Sequence, residues 1–224
     1  IGHNALKENT TGAQNTAVGS LALDVNTTGI ENTAVGYASL SANTTANYNT
    51  AIGRKALEDN TTGHSNTAAG TDALNQNTTG DQNVAMGYQS LTANTTANNN
   101  TSVGYQALKA NTTGTNNVAM GSLALATATD ANDNTAIGYL ALQDNTVGDR
   151  NVAIGYSALE TYNPASNEDS YNVAVGFAAL EADTTGKNNT AVGGNALLVN
   201  TTGSSNTAVG TGALDANTTG DFNT

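Results

Sequence analysis

Apolar and polar residues follow one another in an order that repeats every 17 residues along the chain. The repeat from Asn15 to Glu31 reads NTAVGSLALDVNTTGIE. Self-similarity at a fixed period is the signature of a repeat architecture. An Asn opens each repeat, at Asn15, Asn32, Asn49, Asn66, Asn83, Asn100, Asn117, Asn134, Asn151, Asn172, Asn189, Asn206 and Asn223. We therefore expect residues 1–224 to form a single continuous array, and we expect that array to be cut from a longer chain at both ends.

The length of the unit indicates strands and turns. Helical arrays have units of roughly 33 to 47 residues, and Asn, Thr and Gly are too frequent here for helix. The pattern predicts one strand over 15–19, a second over 20–24 and a wider turn over 26–29. Gly19 is expected to bend the chain where a Cβ is unwelcome, and Gly29 to take a positive φ. The predicted fold is an all-β parallel β-solenoid, or β-roll, of 17-residue coils.

Stacking the coils about 4.8 Å apart places like residues above one another in columns. We expect the Leu column and the Val/Ile column to fill the interior, and the Asn that opens each repeat to form a side-chain amide ladder. The predicted structural core is Val18, Leu23, Val35, Leu40, Ile52, Leu57, Leu108, Ile137, Leu142, Ile154 and Leu159.

Adjacent apolar columns predict a second covered surface. Neighbouring residues of a strand point to opposite faces, yet Ala17 and Val18 are both apolar. The small side chains suit close approach of another copy of the chain, although tight packing inside one narrow coil is the alternative. The predicted oligomer face is Ala17, Ala34, Ala51, Ala136 and Ala153.

Three stretches, NTAVGYASL, NTAIGYLAL and NVAIGYSAL, carry a family resemblance. They resemble the head repeats of trimeric autotransporter adhesins and related repeats of phage and prophage tail fibres. The resemblance covers the whole chain, but the NTTG turn and the 17-residue period depart from the adhesin head, whose repeat is shorter. It implies a left-handed β-roll, a homotrimer and a role in attachment, outside a cell or on a virion.

Composition narrows the function classes. The net charge is -12, with 6 Lys and Arg against 18 Asp and Glu, and nucleic-acid binding needs a basic face instead. Aromatic residues make up 4% of the chain and Cys is absent, so no disulfide framework exists. No apolar run is long enough to span a bilayer, and we expect no membrane contact in this segment.

Candidate chemistry is sparse. An enzyme needs unlike groups that converge, whereas this chain repeats like groups along a line; we expect no catalytic residue, no metal site and no cofactor. His3 and His64 stand at different places in the repeat, and the acidic residues lack calcium-binding spacing. The N-T-T triplets match the glycosylation pattern, but turn chemistry explains their regularity better.

Two binding features remain. Tyr88, Tyr105, Tyr139 and Tyr156 are candidate ligand contacts for host-cell or surface glycans, or they pack on one another. The Thr pairs form a regular array that is either turn chemistry or an ice-binding surface. The 21-residue repeat carries an insertion within 161–171, which is either a binding loop or a neutral bulge.

The function predicted from these patterns is a non-enzymatic structural segment of an extracellular adhesin or surface filament, which associates with itself. The alternatives are a phage tail-fibre shaft, which would place the chain on a virion, and a glycan- or ice-binding module.

Overall fold

The computed structural model describes residues 1–224, which divide into two compact units, Ile1–Thr113 and Gly114–Thr224. Each unit is an all-β parallel β-solenoid of 17-residue coils, and the chain has no helix. No segment is therefore a helix that would reach across a bilayer. The solenoid and its period are confirmed, while the single array over 1–224 stays a prediction.

Each coil contributes one three-residue strand. In the first unit these strands pair in sequence order, in parallel and in exact repeat register, so that Ala17 lies beside Ala34. They are β1 (Thr16–Val18), β2 (Thr33–Val35), β3 (Thr50–Ile52), β4 (Thr67–Ala69), β5 (Val84–Met86) and β6 (Thr101–Val103).

The second unit continues the pattern and adds a small sheet at the insertion. Its strands are β7 (Val118–Met120), β8 (Thr135–Ile137), β9 (Gly148–Asp149), β10 (Val152–Ile154), β11 (Glu168–Asp169), β12 (Val173–Val175), β13 (Thr190–Val192) and β14 (Thr207–Val209). β11 pairs with β9. β10 and β12 flank the insertion and still pair Val152 with Val173, so the extra residues leave the register unchanged.

The predicted second strand is wrong. The segment after the strand glycine is a series of turns, in which Leu21 and Leu23 have φ of 61° and 50°. Alternate amides reach opposite neighbours: Leu21 donates to His3 at 2.9 Å, and Leu23 to Ser39 at 3.1 Å. A left-handed residue costs roughly 1–2 kcal/mol, but it turns both Ala22 and Leu23 inward, where each is 0% exposed.

The interior consists of the Leu column and the strand alanines. Among the predicted core residues, the Leu positions are confirmed, because each is fully buried: Leu23, Leu40, Leu57, Leu108, Leu142 and Leu159. Each buried Leu contributes about 1.5 to 3 kcal/mol, which offsets its left-handed backbone.

The assignment of the two strand faces is reversed in the structure. The middle strand residue points inward, and Ala17 is 7% exposed while Ala34, Ala51, Ala136 and Ala153 are 0% exposed within a single chain. These alanines are therefore interior and not an oligomer face. The predicted core residues of the other column point outward and are half-buried or exposed: Val18, Val35, Ile52, Ile137 and Ile154. Ala fits the narrow interior beside Leu, which leaves the larger residue to solvent.

Two glycine expectations have different outcomes. Gly19 has a φ of 140°, and a Cβ there would overlap the next coil, which confirms the predicted bend. Gly29 lies outside the left-handed region, and Glu31 adopts it instead, with a φ of 56°. The backbone conformation therefore does not exclude Ala46 from the same place in another coil, although a Cβ on Gly29 itself would lie 2.4 Å from the Ala46 carbonyl oxygen.

Candidate functional site

The outward residues of the strands form an exposed surface in each unit, in which one apolar column lies beside a column that is mostly Thr. This surface, called the strand face here, consists of the first and third residue of each strand and the residue after the strand glycine. Its third-residue column is apolar and, apart from Ala69, consists of large side chains; Ile52 is 47% exposed, Met86 44% and Met120 41%. Contiguous exposed apolar surface on a soluble protein marks an interaction site.

The strand face is almost free of charge. Arg54 is the single charged residue on it in the first unit, and the second unit has none between β7 and β14. The acidic residues that give the chain its net charge of -12 lie outside the strand face, at turn and loop positions and in the small sheet of β9 and β11. A partner can therefore approach this face without meeting the acidic side chains.

The predicted aromatic residues, called the aromatic strip here, lie on the strand face and pack on one another, stacked at Tyr88–Tyr105 and tilted by 30° at Tyr139–Tyr156. The ring centroids of Tyr88 and Tyr105 are 5.6 Å apart, and those of Tyr139 and Tyr156 are 5.4 Å apart. Tyr156 also stacks on Phe177 at 5.2 Å, so both of its ring faces are covered. The packing alternative is thus present, while the ring edges and hydroxyls stay accessible because each Tyr is about half exposed.

The two Thr residues of each pair differ in burial and in their contacts. Thr27 is partly buried, and its hydroxyl donates to the Thr44 carbonyl of the next coil at 3.0 Å. Its neighbour Thr28 is exposed. One Thr of each pair therefore serves the turn, and the other forms an exposed column.

The Asn of each N-T-T triplet is structural. Asn26, Asn43 and Asn60 are 0% exposed, and Asn43 donates to the Asn26 side chain at 2.8 Å and to the Ala46 carbonyl at 3.2 Å. A buried, bonded amide is not a glycan acceptor in the folded chain. We call this set the second Asn column, because it is distinct from the Asn that opens each repeat.

The amide ladder was predicted at the other column. In the opening column the Asn15 oxygen accepts from the Asn32 backbone amide at 2.9 Å, and its nitrogen donates to the Gly29 carbonyl at 2.7 Å. Both polar groups of that side chain are thereby used on the backbone. Some coils of the opening column also bond side chain to side chain, as from Asn83 to Asn66 at 3.3 Å and from Asn223 to Asn206 at 2.8 Å, so the predicted ladder is present there in part. The more regular side-chain ladder is in the second Asn column.

His64 and several acidic residues have backbone partners. The His64 Nδ1 atom accepts from the Asn47 amide at 3.0 Å, and an Asp81 oxygen accepts from the His64 amide at 2.6 Å. Asp149 accepts in the same way from Asn132. These side chains hydrogen-bond to the backbone of neighbouring coils and so stabilise the stack. No group of three or more His, Cys, Asp or Glu side chains is placed to hold a metal ion.

A shallow polar cleft of about 320 Å³ opens in the first unit. It is lined by Arg54, Lys55, Asp72, Asn75, Gln76, Gln89 and Thr92. Its charges are paired internally, since Arg54 meets Asp72 at 3.4 Å and Lys55 meets Glu58 at 2.9 Å. The cleft therefore presents no uncompensated group to a ligand.

The insertion is fastened to neighbouring coils by a charged network. Arg150 pairs with Asp169, contacts Asp133 at 3.6 Å and lies over the Tyr171 ring, 5.8 Å from its centroid. Lys187 pairs with Glu168 at 2.6 Å. The tip, residues 163–167, is exposed except for Pro164, so the insertion is an anchored protrusion.

Beneath this insertion the second Asn column changes its residues. Tyr162 and Asp183 stand where other coils have Asn, and both are 0% exposed. The backbone shows the equivalence: Tyr162 donates to the Leu159 carbonyl and Asp183 to Leu180, as Asn26 donates to Leu23. Sequence reasoning missed this pair, although aligning the coils by their buried Leu would have found it.

Burial dominates the electrostatics of the pair. Burial raises the pKa of Asp183 to about 6, against the effect of hydrogen bonds from Gly186, Asn200 and Asn189. Burial likewise raises the pKa of Tyr162 to about 12. No opposite charge is among the groups that act on Asp183, which makes it an uncompensated buried carboxyl.

No protein-family model, curated protein or solved structure matches this chain. The geometry of the strand face, the insertion and the buried pair is therefore the basis for function.

Proposed function

We propose that this chain is a non-enzymatic structural segment of an extracellular surface fibre, an adhesin or a filament, that associates with itself through its strand face. The observation that carries the proposal is the nearly uncharged strand face with its exposed column of large apolar side chains. An isolated solenoid gains nothing from leaving Ile52 and Met86 in water, whereas a second copy presents a matching surface at the same coil spacing.

Charge distribution favours a copy of the same chain as the partner. Two chains that each carry a net charge of -12 repel unless their acidic residues are kept apart. Joining them by the strand face turns the acidic turns away from the contact, where salt screens them over about 10 Å. A left-handed trimer is the form that the resemblance to adhesin heads implies.

The mechanism is mechanical. Within each unit the coils hydrogen-bond to their neighbours through backbone amides and through Asn side chains, so force along the stack of a unit is borne by many parallel bonds. Such a segment holds an attachment surface away from a cell. The alternative within this class is a phage tail-fibre shaft, and antibody labelling of cells against virions distinguishes the two.

Mass in solution tests the proposal directly. Light scattering should give about three chain masses for the unaltered chain. Replacing Ile52 and Met86 together by Asp should reduce the mass to that of a single chain, because two charges enter the apolar contact. Replacing the exposed turn residues Thr62 and Thr79 by Asp adds the same charge elsewhere and should leave the mass unchanged. A single-chain mass for the unaltered protein, or equal masses for both variants, rules out assembly through the strand face.

A second candidate function is ligand binding at the aromatic strip. It is favoured by the half-exposed Tyr88 and Tyr105, whose edges and hydroxyls suit a saccharide. Binding on a glycan array that is lost in the Tyr88→Ala, Tyr105→Ala chain would support it, and binding that survives both changes would contradict it. The exposed Thr28 column offers ice as the alternative ligand, and an ice-recrystallisation assay addresses it separately.

A further inference from the structure

The aromatic strip is interrupted in the first unit. The place after the strand glycine is held by Tyr37, by Arg54 and Thr71 in the next two coils, and then by Tyr88 and Tyr105. Because stacked strands lie about 4.8 Å apart, the backbones of Arg54 and Tyr88 are separated by about 10 Å along the stack. Within this column only the short Thr71 side chain lies between them. The interruption, called the Thr71 gap here, is therefore wide enough for one further ring.

One face of the Tyr88 ring is open toward the Thr71 gap. Tyr88 and Tyr105 stack with their ring centroids 5.6 Å apart and their planes 14° from parallel. Tyr105 covers the ring face on the side of the following coil, so the other face is directed along the column toward Thr71. No second ring stacks on Tyr88, which is 45% exposed. Tyr88 thus presents a flat apolar surface that Tyr105 holds in place from behind.

The polar cleft of the first unit opens at the same level of the stack. Arg54 lines it, and so do Asp72 and Gln89, which directly follow Thr71 and Tyr88 in the chain. Arg54 reaches over the coil of Thr71, since its Nη1 atom lies 3.4 Å from the Asp72 Oδ1 atom. The open face of Tyr88 and the polar side chains of the cleft therefore adjoin one another at the Thr71 gap.

The cleft suits an uncharged ligand that carries hydroxyl groups. Its charged side chains are paired with one another, so no uncompensated charge faces a ligand. The Gln89 oxygen accepts from Gln106 at 2.9 Å, which leaves the Gln89 N–H groups to donate, while the Arg54 guanidinium adds donors and the Asp72 carboxylate adds acceptors. The volume of about 320 Å³ is near the lower end for ligand clefts. A pyranose combines these properties, because hydroxyl groups surround a flat face of C–H groups that packs on an aromatic ring.

We propose that the Thr71 gap is a saccharide subsite: a neutral pyranose stacks on the open face of Tyr88, over Thr71, and its hydroxyl groups hydrogen-bond to Arg54, Asp72 and Gln89. The proposal rests on the ligand-binding candidate given above, and it narrows that candidate from the edges of several rings to one face of one ring. A stacked sugar lies about 4 Å from the aromatic face, which places it at the level of the coil that carries Asp72.

NMR titration of the whole isotope-labelled chain with methyl glucoside, methyl galactoside and methyl mannoside tests the subsite. We expect at least one of these neutral pyranosides to shift the signals of the Tyr88 ring and the Gln89 side-chain amide in a saturable way. If the signals of Tyr139 and Tyr156 shift instead, the ligand-binding candidate stands and the subsite fails. If no aromatic signal shifts with any of the three, both fail, whereas self-association is judged separately from the mass in solution.

Two changes at Tyr88 separate its ring face from its hydroxyl group. Tyr88→Ala removes the face and should weaken the affinity by about tenfold or more, whereas Tyr88→Phe keeps the face and should hold the affinity within about threefold. Equal losses in the two variants would place the ligand at the hydroxyl and overturn the proposal. Tyr156→Ala is the matched control and should leave the affinity unchanged, because both faces of that ring are covered by Tyr139 and Phe177.

Filling the Thr71 gap provides a second test, which removes no side chain that contacts the ligand through a ring. Thr71→Tyr places a ring where other coils already have Tyr, so the fold accommodates it, and the new ring should cover Tyr88 and abolish pyranoside binding. Thr211→Tyr adds the same ring in the second unit, away from the cleft, and should leave binding unchanged. Binding that survives in the Thr71→Tyr chain would contradict stacking on the open face of Tyr88.

Discussion

Gly19 lies against the carbonyl group of Gly36 in the next coil, so closely that a Cβ atom on Gly19 would overlap the carbonyl oxygen. The same relation recurs between Gly36 and Gly53, and the φ angles of these glycines are near 140°. Side-chain-bearing residues avoid that conformation. The strand glycine therefore sets how closely the coils approach, and with it the pairing of strands and turns.

Gly36→Ala should destabilise the chain severely. The new Cβ meets backbone atoms of Gly53 and Arg54, which have no flexible end to move away, and the φ of 142° is strained for alanine. We expect the free energy of unfolding, measured with denaturant, to fall by at least about 3 kcal/mol, because backbone strain and overpacking are among the mechanisms that cause large losses. Gly194→Ala is the matched control, since its Cβ would meet only the Phe177 carbonyl at 4.0 Å. Equal losses for the two would show that the contact is unimportant.

Leu108→Ala tests the interior column. Leu108 is 0% exposed, so its truncation should cost about 2 to 5 kcal/mol. Ile52→Ala removes a similar volume from a side chain that is 47% exposed and should cost less than about 1 kcal/mol in dispersed single chains. Repeat arrays lose cooperativity with length, so the melts belong on a shortened array with solubilising caps. A larger loss at Ile52 would reverse the assignment of the two faces.

The period, the parallel stack, the strand glycine and the Leu column could all be predicted, because each depends on spacing alone. Which strand face is interior could not. Ala17 and Val18 alternate as the strand requires, but hydrophobicity favours Val for the interior, and only the narrowness of the coil excludes it. Similarly, Ala22 and Leu23 are adjacent and both apolar, and the left-handed backbone that places both inside one chain is not visible in the pattern.

The candidate sites show the same limit. The aromatic strip followed from the recurrence of Tyr after the strand glycine. The pair of Tyr162 and Asp183 did not, since each is a single departure from Asn beside an insertion that obscures the alignment. The sequence alone does not show which hydrogen bonds such a residue must donate or accept in its column, and the structure is needed for that.

Asn60→Ala should break the ladder of the second Asn column. The change removes the bond from the Asn77 nitrogen at 2.7 Å and the bond to the Gly63 carbonyl at 2.9 Å, although Asn77 keeps the Gly80 carbonyl and Gly63 keeps the Asn49 donor. It also leaves the Asn43 oxygen without its Asn60 donor at 3.2 Å. An unsatisfied buried group costs about 1–3 kcal/mol, so we expect the free energy of unfolding to fall by about that amount, measured by denaturant unfolding. Thr62→Ala in the same turn alters an exposed side chain and should change stability by less than about 0.5 kcal/mol. Matching results would mean that the ladder adds little to backbone pairing.

Asp183→Asn should stabilise the chain at neutral pH and not in acid. The folded pKa of Asp183 is raised to about 6, from about 4 in an unfolded chain. A group whose pKa rises on folding favours the fold fully below its unfolded pKa, and this contribution is lost as pH rises through the folded value. This stabilising contribution of protonated Asp183 is fully lost at pH 7, where it amounts to about 3 kcal/mol, at about 1.4 kcal/mol for each pKa unit.

Burial also raises the pKa values of Asp24, Asp59 and Asp149, but these residues are present in both chains, so their effects cancel when the two stabilities are subtracted. Denaturant melts of both chains at pH 4, 5, 6 and 7 should therefore give a stability gap that is near zero at pH 4 and grows steadily up to pH 7. A gap that is constant with pH would mean that Asp183 is ionised throughout, and that its three amide donors compensate for its burial.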